Sequence, residues 1–389
     1  LDGGAPVQHT PVKGLECAAC HDPHASESPK LTRAAGRELC ARCHRDQARK
    51  FASPHKPAAD PNGCRSCHAA HGAKEKNLLS KKPDALCASC HAKTIQAGSR
   101  KTVHAPFADG DCSTCHDPHG SDQPGMITAR EDKLCFGCHS DAEQRFMKAH
   151  VHKPVLEGKC SACHEPHGAD DPTLLKAEGW KLCKGCHEPI FKDDPGAIHH
   201  RPYNEGNCLG CHDPHGSNAA GLLVKDEKSL CLGCHANEKR ALESPSVHAA
   251  FAEGRCTECH NPHKAGLKKL LVANASDLCV SCHKPLGQRL VSETKHSPVE
   301  DCLTCHQPHA GPRPKLLAQS VSETCEQCHT ADEAFAKAHL GIDAKKLACT
   351  GCHDPHASGD PKLFRNVAHP PFVARQCDAC HTVSGKDSP

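Results

Sequence analysis

Residues 200–235 read HRPYNEGNCLGCHDPHGSNAAGLLVKDEKSLCLGCH, and most of the 389-residue chain is this stretch repeated. The segment holds a His-x-Pro-apolar opening at His200 and a Cys-x-x-Cys-His pentad at Cys208–His212. That pentad runs straight on into His215, and a second pentad stands at Cys231–His235. Pentads start 23 residues apart within a unit, and units recur every 46 to 48 residues. Such a period marks a tandem array in which each unit rests on its neighbours.

The pentads account for all 32 cysteines. They are Cys17, Cys20 and His21; Cys40, Cys43 and His44; Cys64, Cys67 and His68; Cys87, Cys90 and His91; Cys112, Cys115 and His116; Cys135, Cys138 and His139; Cys160, Cys163 and His164; Cys183, Cys186 and His187. The series continues with Cys208, Cys211 and His212; Cys231, Cys234 and His235; Cys256, Cys259 and His260; Cys279, Cys282 and His283; Cys302, Cys305 and His306; Cys325, Cys328 and His329; Cys349, Cys352 and His353; Cys377, Cys380 and His381. Cys-x-x-Cys-His is the attachment signature of haem c: the thiols add to the porphyrin vinyl groups and the adjacent imidazole reaches the iron. A disulfide scaffold has no use for a histidine after every second cysteine. A zinc ribbon does not need sixteen of them. The expected cofactor content is sixteen haem c.

Composition agrees. Aromatic residues make up 3% of the chain, with 30 Pro and 29 Gly, and the 37% hydrophobic fraction includes the cysteines. Side chains alone cannot offset the conformational entropy of such a chain, so the haems must supply the core. The expected fold is mostly irregular, with short helices around the second pentads and little or no β-structure. It is an elongated tandem-repeat haem wire. Unit boundaries are expected at 1–54, 55–103, 104–151, 152–199, 200–247, 248–295 and 296–338, each with two haems. Residues 339–368 and 369–389 follow with one haem each.

Of 35 histidines, sixteen belong to pentads and seventeen more occupy two repeat positions. The His-x-Pro position holds His9, His55, His104, His152, His200, His248, His296, His339 and His369; the Cys-His-x-x-His position holds His24, His71, His119, His167, His215, His263, His309 and His356. These are the candidate distal ligands. The second kind lies three residues past a proximal ligand on the same side of the turn, so it should serve a neighbouring haem. His150 and His199 fall outside the register and read as loop residues. Met126 stands at a position otherwise occupied by Leu and Met147 has no counterpart, so neither is expected as a ligand; Trp180 and Tyr203 read as haem-packing residues.

Seventeen histidines for sixteen irons leave one over. If each His-x-Pro histidine serves the first haem of its own unit, His356 is surplus. If it serves the second haem of the preceding unit, His9 is surplus and could cap a haem of another molecule. The first scheme is self-contained within one chain and is the expected one.

On these motifs the chain resembles the multihaem cytochromes c with doubled Cys-x-x-Cys-His repeats. Its Cys-His-x-Pro-His element resembles that of decahaem cytochromes seated in outer-membrane porins, and its architecture resembles extracellular cytochrome filaments. The resemblance implies closely stacked haems passing electrons between periplasm and exterior. The implied partners are other redox proteins, extracellular acceptors, a porin or further copies of the chain. Two imidazoles per iron leave no open coordination site, so electron transfer is expected rather than catalysis. The competing readings are a reductase or oxidase of small nitrogen or sulfur compounds, and an electron store.

The polypeptide carries +2 with basic and acidic residues interspersed, which gives no nucleic-acid patch. Two propionates per ferric haem add about −1 each, bringing the holoprotein to about −14. No apolar stretch is long enough to span a membrane. Haem attachment of this kind occurs outside the cytoplasm, so Leu1 is expected to follow a removed leader, in the periplasm or on the exterior.

Overall fold

A computed structural model describes residues 4–192, 194–339, 341–366, 369–374 and 376. The pentad Cys377, Cys380 and His381 lies outside them. The chain divides into two compact bodies, residues 1–188 with 214–218, and residues 189–213 with 219–389.

Each unit is built from the same few turns. A two-residue strand leads to the His-x-Pro histidine, whose extended backbone caps a single helical turn, as at Thr10–Lys13, Ala105–Ala108 and Arg201–Asn204. Proline stands in the first turn because its missing N–H would have no partner there. The first pentad follows as a 3-10 or single α turn. A wide loop then returns to it, pairing His21 with Thr32, His68 with Leu79 and, in later units, their counterparts through His353 with Phe364. The second pentads sit on helices Gly36–Ala41, Pro83–Ala88, Glu131–Phe136, Trp180–Lys184, Glu227–Cys231, Ala275–Cys282 and Val321–Glu326. Among the described residues no helix exceeds the nine residues of Lys284–Ser292.

Strand pairing joins successive units. The residues before each His-x-Pro histidine pair antiparallel with those just after the Cys-His-x-x-His of the next unit: 7–8 with 72–73, 53–54 with 120–121, 102–103 with 168–169, and 150–151 with 216–217. The second body repeats this with 198–199 on 264–265, 246–247 on 310–311, and 294–295 on 357–358. His150 and His199 belong to these ladders. The fold is therefore mostly irregular with short helices, as expected, and its β-structure amounts to these two-residue ladders.

A side-chain core is nearly absent. Among the described residues the buried apolar side chains are Ala169, Ala310 and Ala357. The polypeptide exposes 26842 Å², against about 15,000 Å² for a compact protein of its mass. In the first body an open, largely apolar trough of about 3660 Å³ is lined by pentad cysteines and histidines together with Leu39, Leu86 and Leu134. That is several times the roughly 300–1,000 Å³ of a single small-molecule pocket.

Candidate haem sites

The repeat positions converge as facing imidazole pairs. For second pentads, His44 faces His9, His91 faces His55, His139 faces His104 and His187 faces His152. In the second body His235 faces His200, His283 faces His248 and His329 faces His296. For first pentads, His21 faces His71, His68 faces His119, His116 faces His167 and His164 faces His215. The series continues with His212 and His263, His260 and His309, and His306 and His356. Ring centroids in these pairs lie between 5.9 Å (His152 and His187) and 6.2 Å (His116 and His167) apart. Two metal–nitrogen bonds of ~2 Å, plus half an imidazole on each side, span about 6 Å.

The pairing follows neither expected scheme. A His-x-Pro histidine faces the second pentad of its own unit, and a Cys-His-x-x-His histidine faces the first pentad of the preceding unit. His9 and His356 are thus both paired, and among the described residues the candidates that face no imidazole are His24 and His369. The His24 side chain is 91% exposed, its Nδ1 is 3.8 Å from Asp22 Oδ1, and among the described residues no ring faces it. The translation between units is the reason: inter-unit pairing brings each Cys-His-x-x-His back onto the unit before, and His24 has no described unit before it.

Unit eight departs. The residues before His339 form a helix, Glu333–Ala338, instead of a strand, and His339 turns to its own unit's His353 at 6.4 Å with planes crossed by 56°. No second pentad exists there for His339 to face. His353 in turn lacks its usual partner, because Ser384 occupies the place of the next Cys-His-x-x-His histidine. His369 is exposed.

Backbone carbonyls aim these rings. His21 Nδ1 meets Lys30 O at 2.9 Å, and His68, His116 and His212 make the same 2.8 Å contact with Asn77, Gly125 and Gly221. His164, His260, His306 and His353 repeat it. On the distal side His9, His55, His152, His200 and His296 reach the carbonyls of Ala70, Pro118, Pro214, Pro262 and Pro355. A carbonyl only accepts, so Nδ1 carries the proton and Nε2 keeps its lone pair for a metal. Burial holds His167, His248, His263, His309 and His356 below the usual imidazole range, which favours the neutral, ligating form.

Aromatic residues brace the pairs. Phe107 lies 5.0 Å from His167, Tyr203 5.5 Å from His263 and Phe251 4.8 Å from His309. These are the apolar residues of the His-x-Pro element, resting on the next unit's imidazole. Phe146 stacks on His215 at 4.1 Å from outside that element.

The sequence reading missed the turn that presents the carbonyls. The apolar residue 14 positions after each first cysteine is left-handed throughout: Leu31, Leu78, Met126, Leu174, Leu222, Leu270, Leu316 and Leu363 have φ between +57° and +62°. In several units the preceding residue is left-handed too, and Asn77, Gly125 and Gly221 there were the available signal.

Within each body, described cysteines of consecutive pentads lie beside one another. In the haem-free chain burial, then the neighbouring Cys64, pushes Cys40 up to about 11. Cys279 and Cys325 rise to about 11 through burial and their neighbours Cys302 and Cys349, and Cys231 to about 12 through burial and Cys256. Cys135 is raised by its hydrogen bond to Cys160 and by burial. Among the described residues no disulfide joins the cysteines, and no three His, Cys, Asp or Glu side chains gather as a zinc knuckle would require.

Sequence comparison agrees with this geometry. The doubled CXXCH motif matches residues 9–49, 55–96, 104–144, 152–191, 200–240, 248–288 and 296–334. The chain belongs to the doubled CXXCH motif family. It is a multihaem c-type cytochrome, with haem c bound covalently at the repeats, and its chemistry is electron transfer. No curated protein matches the sequence significantly. Among the described residues no helix is long and apolar enough to cross a membrane.

Proposed function

We propose that the chain holds sixteen bis-histidine haem c groups and conducts electrons along them, outside the cytoplasm, in extracellular electron transfer. The unit boundaries given above are proposed on the same basis. The observation that carries the reading is the order of the sites. The second-pentad cysteine of one unit neighbours the first-pentad cysteine of the next, as Cys40 with Cys64, Cys87 with Cys112 and Cys279 with Cys302. Within a unit Cys67 neighbours Cys90, and Cys259 neighbours Cys282. Within each body, consecutive sites along the chain are therefore consecutive in space, which a storage protein does not require.

When bound, haem c supplies a one-electron iron couple. The polypeptide contributes the rest: two thioether anchors, two oriented imidazoles and very little insulating side chain. Both faces of each described site are occupied by imidazole, which favours conduction over catalysis at an open iron. The test is a haem-to-protein ratio with spectroscopy of the reduced holoprotein. Sixteen haems are expected, with the fifteen described ring pairs low-spin and refractory to carbon monoxide. Several carbon-monoxide-binding haems would instead favour the reductase reading.

A further inference from the structure

Most ring hydrogen bonds at the sites end on backbone carbonyls, but two distal imidazoles meet carboxylates. His119 Nδ1 lies 3.2 Å from Asp117 Oδ1, and His167 Nδ1 lies 3.4 Å from Glu165 Oε1. A carboxylate only accepts, so each Nδ1 carries its proton and each Nε2 keeps its lone pair for iron. What changes is the acceptor, from a carbonyl dipole to a full negative charge.

Both acids occupy one place in the repeat, directly after a first pentad and two residues before the distal histidine. The same place holds Asn261 before His263 and Gln307 before His309. Asn261 Oδ1 accepts from the backbone N–H groups of His263 and Lys264, at 3.0 and 3.4 Å, as Asp117 Oδ1 accepts from that of His119 at 2.9 Å. Amide and acid therefore build the same turn, and only the acid adds charge. Burial lowers both His167 and His263; Glu165 opposes this at His167, while among the described residues no carboxylate does so at His263. At His309 the opposing acid is Glu238, which sits 3.9 Å from His235. Asp354 is an intermediate case. Its Oδ1 is 3.7 Å from His356 Nδ1, while Arg289 donates to Oδ2 at 2.9 Å and offsets the charge.

Each of these distal histidines serves the unit before its own: His119 faces His68, His167 faces His116, His263 faces His212 and His309 faces His260. A negative charge on Nδ1–H makes the imidazole more basic, and it favours ferric iron, which carries one more positive charge than ferrous iron. Hydrogen bonding behind an axial ligand is one of the protein's levers on haem potential. We propose that the residue directly after a first pentad sets the reduction potential of the preceding unit's first haem, a carboxylate there lowering it, so that the His68 and His116 haems titrate below those of His212 and His260. In a partly reduced chain electrons then rest on the His212 and His260 haems in preference. Asp117 and Glu165 are positioning residues, acting through His119 and His167. The proposal rests on the bis-histidine reading of the sites.

The test is a spectropotentiometric titration of three holoproteins beside the wild type: Asp117→Asn with Glu165→Gln, Asn261→Asp with Gln307→Glu, and Asp117→Glu alone. The area between a variant's curve and the wild-type curve gives the summed shift of the altered haems, whichever others titrate alongside. Solvent reaches both acids, 41% and 38% exposed, which keeps the effect at the low end of what such partners contribute. Each altered site should change its oxidised-to-reduced ratio at fixed potential by about tenfold, which is about 59 mV for one electron. The first variant is expected to move to higher potential and the second to lower, while Asp117→Glu keeps the wild-type curve. Haem content and low-spin spectra should stay unchanged in all three. A shift missing from either double variant, or of the same sign in both, overturns the proposal and leaves the bis-histidine reading standing. Many high-spin haems in the wild type would instead sink the bis-histidine reading, and the proposal with it.

Discussion

At the level of single residues, each first-pentad site depends on a hydrogen bond that costs backbone strain. Lys269 and Leu270 both adopt left-handed dihedrals, φ +60° and +59°, so that Lys269 O can receive His260 Nδ1 at 2.8 Å. Left-handed backbone costs a side-chain-bearing residue about 1–2 kcal/mol, and glycine escapes most of this. The Lys269 side chain is exposed. Lys269→Gly should therefore raise the holoprotein's stability by about 0.5–1 kcal/mol, while Lys269→Val lowers it by about 1–2 kcal/mol. Thermal melts of the two variants check the sign of each effect. The pairing also gives His9 a defined partner. His9→Ala should leave the haem of His44 five-coordinate, which the high-spin absorption of the holoprotein measures.

Between elements, polar contacts stitch one unit to the next where apolar packing is scarce. Asp132 opens the helix Glu131–Phe136 and is 7% exposed. Arg130 grips both carboxylate oxygens, with Nε 2.6 Å from Oδ1. The following unit closes over it: Gly158, at φ +71°, lies so near that a Cβ there would fall 2.9 Å from Asp132 Cβ. The Arg130 hydrogen bonds hold the Asp132 carboxyl below the usual carboxylate range against the cost of its burial. A depressed acid contributes stability that is complete above its unfolded pKa, roughly 3.9, and lost as pH falls through the folded value. The thermal midpoint of the holoprotein should thus drop below about pH 4, and Asp132→Asn should begin lower and lose part of that acid dependence. An identical acid limb in the variant would show that Asp132 carries none of it.

For the whole molecule, stability and function share one source. The three alanines buried among the described residues cannot hold such a chain together, and the exposed apolar lining of the first body's trough becomes interior only when haem fills it. The polypeptide made without haem attachment should accordingly show no cooperative thermal transition, while the holoprotein does. Calorimetry on both forms measures this, and a cooperative transition in the haem-free chain would mean that side chains suffice after all.

The sequence by itself determined the chemistry. Haem attachment needs only a local pentad, so all sixteen motifs, both sets of candidate distal histidines and the two-pentad period could be read directly. The dearth of large apolar residues foretold a fold without a side-chain core. What only the tertiary structure decided was which imidazoles meet. His9 and His44 are brought together within a unit, but His71 reaches back to His21 because the 7–8 and 72–73 strands pair across the unit boundary. Nothing in either two-residue strand encodes that register, since its hydrogen bonds run between backbone groups that every residue carries. The left-handed leucines were hidden for a similar reason: leucine has no preference for that conformation, and only the long-range demand for a carbonyl beneath the imidazole imposes it.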